Sequence, residues 1–214
     1  MRASNSDASE PGMTTHRIEA LTDGIFAIAM TLLVLTLDLP EVEKGLTQVR
    51  VHNLLIGQMH KFFNYALSFV LLAVFWIIHH QHFHVIKRTD HKHLWINIFT
   101  LMFIALIPFS TSLVGDYPED WMDEFFFGSN MFILGMLLNW SWTYATKGYR
   151  LVNRGLDPRR IALGKKRGAI IPFVALLAMV LSLINPLMSS YVYILIPIIL
   201  SLPQFRYKLS KKEE

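Results

Sequence analysis

Three ionisable residues, Arg17, Glu19 and Asp23, stand at the head of a long apolar run, in Arg17-Ile-Glu-Ala-Leu-Thr-Asp-Gly24. Charged groups at a membrane edge are costly unless paired or hydrated, so they mark an ion pathway, a proton relay or a bonded network facing protein. The plainer alternative is that they sit in the headgroup layer. Glu19 and Asp23, four apart, share a helix face, whereas Arg17 and Asp23, six apart, point about 120° from each other. Their partners must therefore come from other segments, and the candidates are Trp76, His79, His80 and Asn97. Farther along, Ile28, Leu32 and Leu35 recur at i, i+4 and i+7 with Thr31 beside them, over about 10 Å of helix. That spacing by itself speaks first for packing and only second for a pore lining.

Other chemistry finds weaker support. His79, His80, His82, His84, His91 and His93 invite a metal or haem reading, since His80 and His84 lie at i, i+4. Adjacent histidines point to different faces and no carboxylate joins them before Asp90, so no metal site is assigned. A membrane-embedded metal or haem protein stays open as an alternative, as does a proton-coupled transporter using Asp23 and Glu19. Titration of the histidines near neutrality would confer pH sensitivity on a pathway close to them. Leu113-Val-Gly-Asp-Tyr-Pro118 superficially matches a carbonyl selectivity filter, but Asp116 and the missing second glycine argue for a loop. There is no cysteine, phosphate loop, paired catalytic carboxylates or nucleophile beside a base, which speaks against an enzyme.

The elements that must carry these residues are membrane helices. Of the 214 residues, 53% are hydrophobic and 17% charged, a balance poorly suited to a water-soluble core. Six apolar segments stand out, at 20–39, 62–78, 94–114, 125–144, 169–184 and 187–202, the last two divided by Asn185-Pro186. Seventeen Lys and Arg fall on one side of these segments and three on the other, which places both termini in the cytoplasm. The charge of +4 is thus a topology signal and not a nucleic-acid surface. The basic stretch from Lys147 to Arg167 is suited to anionic membrane lipids as well as to orientation. The second helix is expected to run on through His79 to His93, where no helix breaker stands, and to project into the cytoplasm.

Arg17-x-x-x-Leu21-Thr22-Asp23-Gly24 at the start of a first membrane helix closely resembles the R-x-x-x-F-S-D motif of the transmembrane protein 175 family, potassium channels of lysosomes and of many bacteria and archaea. The resemblance takes in Trp76 to His80, at the end of the second segment, and Asn97 in the third. Leu21 replaces the usual Phe and Thr22 the usual Ser, keeping an apolar body followed by a small hydroxyl. The single motif matches the prokaryotic form, so the resemblance implies an all-α polytopic protein of six transmembrane helices. Helix one would line the pore of a homotetramer in the cell membrane of a bacterium or archaeon. It further implies a hydrophobic constriction at Ile28, with Thr31, Leu32 and Leu35 continuing the pore face. Arg17, Leu21, Thr22, Asp23, Gly24, Trp76, His79, His80 and Asn97 would form the structural network. Passage of potassium with weak preference over sodium would need no cofactor. The implied organisation is a disordered cytoplasmic tail at 1–16, a channel domain at 17–206 and a basic cytoplasmic tail at 207–214.

Overall fold

The computed structural model describes residues 15–38, 48–117 and 120–203. Apolar runs long enough to hold many backbone hydrogen bonds become helices here, and short polar signals decide where they begin. Helix α1 (Thr15–Leu32) tightens into a 3-10 turn at Leu33–Thr36. It is followed by α2 (Gln48–Gly57), α3 (Met59–Val85), α4 (His91–Ala105) and α5 (Ile107–Asp116). Then come α6 (Trp121–Thr146), α7 (Pro158–Ser182), α8 (Pro186–Val192) and α9 (Leu195–Ser201). Each of the six apolar segments is carried, over most of its described length, by one helix or a pair of consecutive ones. The first helix starts at Thr15, so the expected tail loses its last two residues to α1. The rest of that tail, and the basic tail at 207–214, lie outside the described residues.

Side-chain caps explain several starts. Asp90, Asp120 and Asp157 accept from the amides of His93, Met122 and Arg159 at 2.8 to 2.9 Å, and Asn185 accepts from Met188 at 3.2 Å. Proline follows the cap in α7 and α8, where a missing N–H costs nothing. Farther in, proline breaks helices instead. Pro197 cannot donate to the Tyr193 carbonyl, which takes the Ile196 amide at 3.0 Å, and the last apolar arm divides there into α8 and α9. Pro108 accompanies the corresponding break between α4 and α5.

One expectation is corrected. The second long helix ends at Val85 and does not continue to His93, because extended Ile86 pairs with Val152 and Asp90 starts a new helix. His79, His82 and His93 are buried inside the bundle instead of projecting from it.

Among the described residues three stretches, Thr15–Thr36, Met59–Val85 and His91–Asp116, are long and apolar enough to cross a bilayer. The outer surface fits that solvent, with Phe99, Phe109, Phe173, Leu176 and Ile184 exposed. Inside, Phe26 and Leu33 of the first segment meet Leu71 and Phe75 of α3, Ile104 of α4 and Met131 and Leu134 of α6 in one core. The α6–α7 pair is the most extensive helix contact. It closes over glycine: a Cβ on Gly135 would lie 2.6 Å from Pro172 Cδ, and one on Gly164 would lie 2.4 Å from the Trp142 ring. Small residues that let backbones approach are the usual means of packing helices where solvent offers no hydrophobic drive.

Candidate functional site

The two sides of α1 have different fates. Ile18, Thr22, Phe26, Ala29, Leu33 and Thr36, spaced three and four apart, are buried against the protomer's own helices. The opposite stripe holds Leu21, Gly24, Ile28, Thr31, Leu32 and Leu35, all exposed. Ile28 is 59% and Leu35 65% exposed, so the chain leaves this apolar face uncovered. Thr31 Oγ1 donates to the Ile28 carbonyl at 2.8 Å, which uses its proton and leaves the oxygen as an acceptor. Beyond Leu32 the 3-10 turn brings residues three apart into near register, so Leu35 follows Leu32 along one line.

Beside this stripe α1 is tied to α3 by a polar contact. Trp76 Nε1 donates to Asp23 Oδ1 at 2.8 Å, and the indole stacks on His80 with ring centroids 5.5 Å apart. A second bond sits deeper. His79 Nε2 donates to Asn97 Oδ1 at 2.8 Å, with both side chains buried, and so joins α3 to α4. Phe26 of α1 lies tilted against the His79 ring with centroids 6.4 Å apart, and Phe83 stacks on that ring at 4.4 Å. Thr22 Oγ1 and Asn97 Nδ2 are buried without a hydrogen-bond partner among the described residues. The acid, the indole, the imidazole and the amide nominated from the sequence are thus paired across three helices. Arg17 is exposed and is brought to neither Asp23 nor any other hydrogen-bond partner among the described residues.

Of the other nominated histidines, His82 and His93 are buried and serve packing, while His84 and His91 are exposed. His82 stacks on Trp142 at 4.6 Å, and His93 shares a 3.0 Å hydrogen bond with Ser141. In the loop after α3, Asp90 also accepts from the Tyr144 hydroxyl at 2.8 Å. Burial pushes the Asp90 carboxyl up, but the His93 amide and the Tyr144 hydroxyl outweigh it and hold the group below its ordinary value. Among the described residues, no His, Asp or Glu cluster of three could hold a metal ion. The filter-like stretch is not all loop as expected: Leu113 to Asp116 form the helical end of α5, where Asp116 pairs with Lys61 at 2.5 Å, and Pro118 lies outside the described residues.

Two features escaped the sequence reading. Glu124 is 2% exposed and accepts a short hydrogen bond from Ser190, beside the fully buried Tyr193. In sequence it looks like an ordinary acid in the first turn of a helix, and nothing local marks its burial. The other is Arg167, whose guanidinium donates to Gln81 Oε1 at 2.8 Å between α7 and α3.

Known proteins resemble this chain in sequence and fold. The family model of the endosomal/lysosomal potassium channel TMEM175 matches residues 17–108. A potassium channel of Chamaesiphon minutus is 30% identical over 178 residues, 82% of this chain and 87% of that protein. The crystal structure of a lysosomal potassium-selective channel TMEM175 homolog from the same organism superposes with a TM-score of 0.76. It is 27% identical, covering 88% of this chain and 98% of the other. The endosomal/lysosomal proton channel TMEM175 of Danio rerio is 33% identical over 122 residues, 54% of this chain but only 23% of that protein. With an all-helical apolar fold and a likeness that runs nearly end to end along the Chamaesiphon protein, this chain belongs to the TMEM175 family, whose members are membrane ion channels and not enzymes.

Proposed function

We propose that this chain forms a passive, potassium-conducting cation channel, a homotetramer in which four copies of α1 surround the ion path. The observation that carries this reading is the uncovered stripe of α1, apolar at Ile28, Leu32 and Leu35 and backed by bonded contacts on its other side. Six crossings with both termini in the cytoplasm follow from the charge bias, and the cell membrane of a bacterium or archaeon is the proposed location. Ile28 forms the constriction, Thr31 offers a ring of hydroxyl oxygens, and Leu32 and Leu35 continue the wall. Leu21 and Gly24 widen the cytoplasmic mouth, while Asp23, Trp76, His79 and Asn97 hold the tilt of α1. His80 supports the indole, Thr22 packs inward, and Arg17 meets a neighbouring copy or the headgroup layer.

A collar of four isoleucines gives a passing ion no ligands in place of its water, and it can close by dewetting. Potassium holds its hydration less tightly than sodium and loses less on squeezing through, so a weak preference for potassium follows without a carbonyl filter. Purified protein in a planar bilayer, with potassium on one side and sodium on the other, tests this directly. Ile28→Asn is expected to move the bi-ionic reversal potential toward zero as sodium current rises. An unchanged reversal potential removes Ile28 from the constriction. Because the Danio rerio relative is named a proton channel, the same bilayer under a pH gradient measures whether protons share the path.

A further inference from the structure

Away from α1, the helices α3, α6, α7 and α9 enclose a cavity of about 530 Å³ with an unusual division of character. Val74, Ile77, Leu163 and Leu200 make its wall apolar, while Arg160 and Arg167 bring two guanidinium groups to it and no carboxylate lines it among the described residues. The two arginines are seven apart on α7, which sets them on one helix face about 10 Å along the axis from each other. Lys165 and Lys166, beside them in sequence, are exposed and line no part of the cavity. Arg167 spends one donor on the neutral Gln81 oxygen, and its Nε is buried with no acceptor among the described residues. The Arg167 charge, partly sequestered and with no carboxylate beside it in the cavity lining among the described residues, is costly to leave so, and a guanidinium fork matches a phosphate oxygen pair as well as it does a carboxylate. A soluble phosphate has no use for the apolar wall. Ile77 in that wall is 44% exposed, so the lining is continuous with the surface that faces lipid.

We infer that this cavity binds a single acidic phospholipid, its phosphate held by Arg160 and Arg167 and the start of an acyl chain laid along Val74, Ile77, Leu163 and Leu200. The inference rests on the membrane setting of the fold and not on ion conduction, so loss of lipid and loss of current are separate readouts.

The test reconstitutes the purified protein into vesicles of equal parts phosphatidylglycerol and phosphatidylcholine, extracts it in mild detergent and counts retained lipid by native mass spectrometry. Phosphatidylglycerol should be retained over phosphatidylcholine by about tenfold or more, because both carry the phosphate but only phosphatidylcholine adds a choline cation that two guanidinium groups repel. Arg160→Gln with Arg167→Gln should abolish that preference, whereas Lys165→Gln with Lys166→Gln, removing the same charge from the same helix, should leave it intact. Should the arginine variant fail to assemble, Leu163→Trp fills the cavity with both charges kept, and it should lose the lipid equally. Equal retention of the two lipids, equal effects of the two double variants, retention undiminished in Leu163→Trp, or displacement by millimolar inorganic phosphate would each overturn the proposal.

Discussion

Breaking the contact between Trp76 and Asp23 isolates what ties the first helix to the rest of the protomer. Trp76→Phe keeps an aromatic body on α3 and deletes one donor, 2.8 Å from a carboxylate oxygen. A hydrogen bond to a charged group contributes about 1.5–3 kcal/mol when sheltered. Trp76 is 37% exposed in the protomer, and hydrogen bonds inside membrane proteins average nearer 0.6 kcal/mol with a maximum near 1.7. The expected coupling is therefore about 1 kcal/mol per chain. Trp76→Phe, Asp23→Ala and the double variant form a cycle whose non-additivity reads this term free of the packing lost in each single change. Reversible unfolding in mixed detergent micelles supplies the energies, and bilayer recordings on the same samples supply conductance. Additivity of the two changes within about 0.3–0.5 kcal/mol would refute the idea that this bond braces α1. Asp23→Ala is further expected to harm oligomer assembly more than ion preference, so intact assemblies with normal current would remove the bracing role.

Three other perturbations probe the surrounding structure. Asn97→Leu leaves the buried His79 N–H without its acceptor and should destabilise the protein by about 1–3 kcal/mol, partly restored when His79→Phe is added; unfolding measurements that find no loss would contradict the pairing. Gly135→Ala places a methyl 2.6 Å from Pro172 Cδ and 2.9 Å from its backbone nitrogen, so a cost of about 1–3 kcal/mol is expected from forced separation of α6 and α7, against no change if the seam has slack. Asp90 prefers its charged form in the folded protein, so its stabilisation is present above the unfolded carboxyl value and lost as pH falls through the lower folded one. Melting temperature should consequently drop on the acid side of about pH 4, and Asp90→Asn should flatten that drop, which superimposable profiles would exclude.

Most of the helical layout was legible because it depends on local quantities. Apolar runs and flanking Asp, Asn and Pro are properties of neighbouring residues, and Asp157-Pro158 and Asn185-Pro186 begin helices for reasons visible in the chain alone. The wrong extension of the second helix came from weighing breakers and overlooking a cap, since Thr89-Asp90 before His91 already signals a start. The site was half legible. Unusual polar residues in apolar segments nominated Asp23, Trp76, His79 and Asn97, but which pairs with which depends on helix rotation and depth. Glu124 and Arg167 were invisible for the same reason. Their burial is decided by Ser190 and by Gln81, 66 and 86 residues away, and no periodicity encodes such a meeting.

The glycine seam has a mechanical consequence. Where two helices touch backbone to side chain, with Pro172 seated over Gly135 and the Trp142 indole over Gly164, neither can slide without lifting out of its notch. The pair moves as one stiff plank. Flexure is therefore expected at the joints near Pro108 and Pro197 and at the short-pitched turn that finishes the first helix, since Pro172, though inside α7, is wedged against Gly135. Spectroscopic labels set across the plank should keep a constant separation under every ionic condition, whereas labels set across those joints register whatever motion the protein has.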